Sequence, residues 1–89
     1  MNVFKRALKK WGQQAQVNMC IEECAELIKA FQKFKRKQSI SNITNVYEEI
    51  ADVQIMLDQM RYLFDNEAID IFYRRKLARL EKLLEKENG

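Results

Sequence analysis

Apolar residues recur along this chain at three- and four-residue steps almost from end to end, the spacing of one face of an α-helix. Phe4, Leu8 and Trp11 set the first stripe and predict a short helix over roughly residues 2–10, which Gly12 loosens or ends. A long second helix is expected from about residue 13 to 36. Its apolar side includes Val17, Met19, Cys20, Cys24, Leu27, Ile28, Phe31 and Phe34. The segment "KRKQSISNIT", Lys35 to Thr44, reads as a connection: cations suit the C-terminal end of a helix dipole, and Ser and Asn compete for backbone hydrogen bonds. Asn45 with Glu48 has capping-box spacing, and Ser41 or Asn42 is an alternative cap. A third helix runs to about Phe64, and Asp65 and Asn66 turn the chain. A fourth, from about Glu67 to Lys86, carries Ile69, Phe72, Tyr73, Leu77, Leu80 and Leu84 on one side. Short connections favour antiparallel neighbours, so the chain reads as all-α: one domain over residues 1–89, a small antiparallel helical bundle or half of one.

Acids interrupt this pattern on two helices. At about 100° per residue, Glu23 lies within about 40° of Met19, Leu27, Ala30 and Phe34, inside the apolar stripe, and Glu26 sits about 60° to one side. Glu22 points elsewhere, beside Lys29 and Lys33, toward the side expected to be wet. The third helix repeats the arrangement: Glu49 shares its phase with Val53, Met56, Met60 and Leu63, and Asp52 takes the same offset of about 60° as Glu26. One E-x-x-E or E-x-x-D usually marks a solvated face. Two such pairs, each aimed at the surface through which neighbouring helices pack, are a different matter. Buried carboxylates need a partner or a proton, and Lys76 is the only basic residue placed centrally on an apolar stripe. A bound cation resolves the conflict, and an all-oxygen ligand set selects Mg²⁺, or Mn²⁺ in its place, over zinc or copper.

Composition narrows the alternatives. The chain has no proline and only two glycines, against 47% hydrophobic and 33% charged residues, which suits helices and lacks the turn residues of a sheet-rich domain. Eighty-nine residues bury only about 60–65% of their unfolded surface, so association is a ready way to gain stability. The net charge of +3 is mild, which makes nucleic acid an improbable partner. Histidine is absent, which removes Ser-His and Cys-His nucleophile pairs and histidine-bound zinc. Cys20 and Cys24 then read as buried thiols in a reducing compartment. No stretch has the length of a membrane span and the N-terminus lacks the apolar core of a signal peptide, so the expected location is cytoplasmic, away from membranes.

The two acidic motifs, E-x-x-E in "EECAEL" and E-x-x-D in "EEIADV" with residues 27–48 between them, resemble the MazG-like nucleotide pyrophosphohydrolases of the all-α NTP pyrophosphatase superfamily. "KWGQQAQ" is similar to that family's tryptophan- and glutamine-containing approach segment, and "FYRRKLARLEKLL" to the basic, leucine-rich closing helix of its small members. The resemblance covers nearly the whole chain. It implies a helical fold completed by dimerisation, as a dimer or tetramer, and Mg²⁺-dependent hydrolysis of a nucleoside triphosphate to a monophosphate and pyrophosphate. It also implies Glu23, Glu26, Glu49 and Asp52 as the metal ligands and catalytic acids, with Glu22 positioning water or supporting the ligands. Lys76 and Lys33 are candidates to reach phosphates. Their alternatives are a snorkelling side chain over apolar surface for Lys76 and ordinary surface charge for Lys33. Gln16, which shares the phase of Glu23, and Trp11 are candidates to meet the base, Trp11 being equally suited to core or interface. A competing expectation is a non-catalytic nucleotide- or metal-binding helical oligomer with a regulatory or structural role. A third, weaker one is a nucleic-acid-associated oligomer built on Lys35-Arg36-Lys37 and Arg74-Arg75-Lys76.

Overall fold

A computed structural model describes residues 2–88, with side chains through residue 86. Four α-helices follow one another: α1 (Val3–Trp11), α2 (Gln13–Arg36), α3 (Ile40–Leu63) and α4 (Asn66–Asn88), with no strand among the described residues. Polar side chains close the helix ends, as exposed backbone groups require. The Asn2 carboxamide oxygen accepts from the Lys5 N–H at 2.9 Å, and the Asp65 carboxylate accepts from the Ala68 N–H at 3.1 Å. Gly12 separates α1 from α2 at φ 90°, where its N–H donates to Leu8 O at 2.9 Å.

The α2–α3 connection is tighter than the sequence suggests. Ser39, rather than Asn45, Ser41 or Asn42, caps α3, accepting from the Asn42 N–H at 3.2 Å. Asn42 instead closes α2: its side-chain amide donates to Lys37 O at 2.9 Å and to Lys33 O at 3.3 Å. Only residues 37–39 lie between the helices, so α2 and α3 fold back as an antiparallel pair.

This pair is the centre of the chain. Ala30 is wholly buried, its small side chain allowing the helices to approach, and Val53, Met56 and Met60 are buried on α3. Two polar side chains are buried with them, Gln16 and Gln59, joined by a hydrogen bond of 2.9 Å from the Gln59 amide to Gln16 Oε1. α1 lies against both helices; Phe4 stacks on Tyr62 with centroids 5.9 Å apart, and the Lys5 ammonium sits 5.5 Å from the same ring. Of the apolar side expected on α2, Val17, Cys20, Cys24, Leu27 and Phe34 are half-buried, whereas Met19, Ile28 and Phe31 remain exposed.

α4 touches α3 alone, near its own start, where Arg61 donates to Asp70 and Asn66, each at 2.7 Å. Every side chain from Ile71 to Lys86 is exposed, including Phe72, Tyr73, Leu77, Leu80 and Leu84. The chain exposes 7482 Å², against about 5,500 Å² expected of a folded monomer of this mass. Its radius of gyration is 16.6 Å, against about 12 Å for a compact domain of this length. No helix among the described residues is long and apolar enough to cross a membrane.

Candidate metal centre

The Gln16–Gln59 bond fixes which residues of α2 and α3 face each other. Two turns along α2 lies Glu23, and two turns back along α3 lies Asp52, so these two are opposite. Glu26 and Glu49 face each other about one turn further on. The common offset of about 60° carried by Glu26 and Asp52 has a simple consequence here. On antiparallel helices it turns both acids to the same side of the interface.

Three of the four acids converge. One carboxylate oxygen each from Glu23, Glu49 and Asp52 lies within 4.8 Å of the others. Glu23 and Glu49 are half-buried and Asp52 is exposed. Burial first, then the charges of Asp52, Glu49 and Glu26, push the Glu23 carboxyl above the ordinary carboxylate range, and a hydrogen bond with Asp52 adds to this. Burial first, then Asp52, Glu26 and Glu48, push Glu49 in the same direction. Glu26 stays at the edge of the group, exposed, with Lys29 Nζ 3.7 Å from its carboxylate. That exposed pair is the only salt bridge to any of the four among the described residues. Glu49 Oε2 is fully buried and has no hydrogen-bond partner.

This donor set fits a hard divalent cation. It offers carboxylate oxygens from two helices, one of them buried and unpaired, with no thiolate or imidazole in the set and no Lys or Arg paired to Glu23, Glu49 or Asp52 among the described residues. Cys20 and Cys24 are free and half-buried, and burial followed by the neighbouring Cys24 pushes the Cys20 thiol up, away from metal-binding thiolate character.

Beside the acids, α1, α2 and α3 enclose an open cavity of about 720 Å³. Trp11, Gln16 and Glu22 all line it, so two of the side chains expected near a base are brought together. Trp11 is 58% exposed, which makes it a wall of this space rather than core. Glu22 faces the cavity and is not one of the converged acids. Met19 and Met56 line the same space, each about one turn from Glu23 and Asp52 respectively, or roughly 6 Å of helix. Gln59 also lines it; it belongs to no motif, and the only sequence signal for it is a polar residue set between Met56 and Met60.

Lys76 and Lys33, the candidates for phosphate contact, form no ion pair among the described residues. Lys76 is exposed on α4, which packs on no helix but α3. Lys33 is exposed in the last turn of α2, about 15 Å of helix beyond Glu23. No family model matches this chain, and neither a curated protein nor a solved structure matches it.

Proposed function

We propose that this chain is a Mg²⁺-dependent nucleoside triphosphate pyrophosphohydrolase of the MazG-like kind, acting as a homo-oligomer. The observation that carries the reading is the meeting of Glu23, Glu49 and Asp52 within 4.8 Å across a helix pair, with no basic side chain paired to any of the three among the described residues. Glu23, Glu49 and Asp52 would hold Mg²⁺ or Mn²⁺, with Glu26 beside them. Such an ion supplies charge neutralisation for phosphates and acidity for water.

The chain's own residues have separable tasks. The cavity at Trp11 and Gln16 takes the nucleoside, whose triphosphate then extends along α2 and α3 toward the carboxylates. Glu26 is not among the converged three. It orients the attacking water and accepts its proton on a carboxylate oxygen. The bond between the α and β phosphates breaks, and pyrophosphate leaves. Lys76, exposed on α4 and in no ion pair among the described residues, would reach phosphate from a second chain.

The excess of exposed surface supports such a second chain. About 2,000 Å² more is exposed than a compact monomer of this size would show, comparable to one side of a large permanent interface. The unpartnered stripe on α4 supplies much of that surface.

The test is incubation of the purified chain with a panel of ribo- and deoxyribonucleoside triphosphates plus Mg²⁺ or Mn²⁺, with the products identified. Monophosphate plus pyrophosphate is expected; no turnover by folded, metal-loaded protein sinks the proposal. The exposure of Lys33 and Lys76, neither of them in an ion pair among the described residues, favours a second reading, a nucleotide- or metal-binding oligomer without catalysis. In that case Mg²⁺ raises the melting temperature and turnover stays absent.

A further inference from the structure

Gln16 and Gln59 are 6% and 3% exposed, yet their mutual hydrogen bond uses only part of their capacity. A primary amide offers two N–H donors and one carbonyl oxygen. After Gln59 donates to Gln16 Oε1, the Gln16 amide N–H groups and the Gln59 carbonyl oxygen have no partner among the described residues. Neither atom is sealed in, since the only fully buried, unpartnered side-chain polar atom among these residues is Glu49 Oε2. Both glutamines line the 720 Å³ cavity. Exchanging oxygen and nitrogen in both amides gives the same inventory, one arm donating and the other accepting.

The surroundings select the ligand class. Phe4 and Trp11 supply aromatic surface, and Met19 and Met56 supply flexible, polarisable walls suited to a flat ring. A flat ring carrying an adjacent donor and acceptor on one edge is the complement of an amide pair, and every nucleobase has such an edge. We infer that the Gln16–Gln59 pair reads the edge of a nucleobase, and that Gln59 is a specificity-determining residue of this site. The inference rests on the nucleotide reading proposed above. The mutual bond has a purpose in it: each amide holds the other, so the free arms are fixed before the ligand arrives and little side-chain freedom is lost on binding.

The test uses neutral nucleosides and the full chain in metal-free buffer, so that neither hydrolysis nor phosphate repulsion enters. Trp11 is the only tryptophan, and its indole N–H gives a single resonance to follow beside the side-chain amides of Gln16 and Gln59. Nucleosides are expected to shift these signals, with ribose alone inert. Gln59→Leu is expected to weaken the preferred nucleoside about three- to tenfold, as for one lost hydrogen bond, and to narrow the spread among bases. Gln16→Leu with Gln59→Leu removes both amides and orphans neither. It should keep its helix content and melting temperature while losing all preference among bases. Nucleosides that leave the three side chains unmoved overturn the inference, as does a folded double variant that still ranks the bases as the parent does. Triphosphate hydrolysis with unchanged base preference in the double variant removes this role and leaves the reaction standing. Nucleoside binding without hydrolysis does the reverse.

Discussion

The α2–α3 pair and α4 carry apolar stripes of similar regularity, and the chain buries one and leaves the other bare. On α3 the stripe is interrupted by Glu49 and Asp52, yet Val53, Met56 and Met60 are buried. On α4 the stripe is cleaner, and everything from Ile71 to Lys86 is exposed. Regular spacing therefore reports which face of a helix is apolar, not whether this chain covers it. The interrupted stripe is where Glu23, Glu49 and Asp52 converge. Acids are tolerated there because their neighbours on both helices provide burial that the acids themselves do not.

Four changes break or sharpen that contrast. Glu49→Gln has the largest expected effect: at least about a hundredfold loss of turnover, since even groups that only support metal ligands cost 10–100-fold. The same variant should melt higher than the parent without metal, because a charge crowded by Asp52, Glu26 and Glu48 is gone. Initial rates and thermal melts check both; an unchanged rate removes Glu49 from the site. Next, Met60→Ala should cost roughly 2–3 kcal/mol in urea unfolding as a core truncation. Leu77→Asp with Leu80→Asp, on the bare stripe, should leave helix content intact and shift sedimentation toward single chains.

Acidity acts on the α2–α3 pair through Glu23 and Glu49. Glu23 and Glu49 are raised above the ordinary 4.5, so the folded, metal-free chain binds protons before the unfolded chain does. Its urea midpoint should rise as pH falls from neutral toward 4.5, then level off as the unfolded chain is protonated too. Mg²⁺ should bind more weakly over the same window, and Glu49→Gln should flatten the slope. Smallest of all, Arg61→Ala removes a partly exposed ion pair to Asp70 and the bond to Asn66. It should lower stability by about 0.5–1 kcal/mol and loosen only the start of α4 in amide exchange.

The helices, and the presence of Glu23 and Glu49 on the packing faces of α2 and α3, were readable from spacing, because period and phase are properties of one helix. Val53, Met56 and Met60 were readable as core on the same ground. What was not readable depends on relations between helices. Ser39 and Asn42 looked like loop because both favour local backbone bonds; their actual roles, one starting α3 and the other closing α2, need the two ends to be adjacent. Glu26 and Asp52 have identical offsets, yet only Asp52 joins the converged acids while Glu26 turns to Lys29. Gln59 gave almost no signal, since a polar residue on a helix is ordinary until its partner on α2 is known. The bareness of α4 was invisible for the same reason.

Gly12 ties these parts together mechanically. α1 supplies Phe4 and Trp11 to the cavity and is joined to α2 through this single residue at φ 90° and ψ 159°, an essentially glycine-only region that costs another residue about 1–3 kcal/mol. A Cβ placed there meets nothing within 4 Å, so the cost of Gly12→Ala is wholly torsional. Through Phe4 and Trp11, α1 forms one wall of the cavity, while the converged carboxylates all sit on α2 and α3. The proposed grip on a base and the proposed chemistry on its phosphates thus rest on different elements, and a change at Gly12 should alter the first without touching the second.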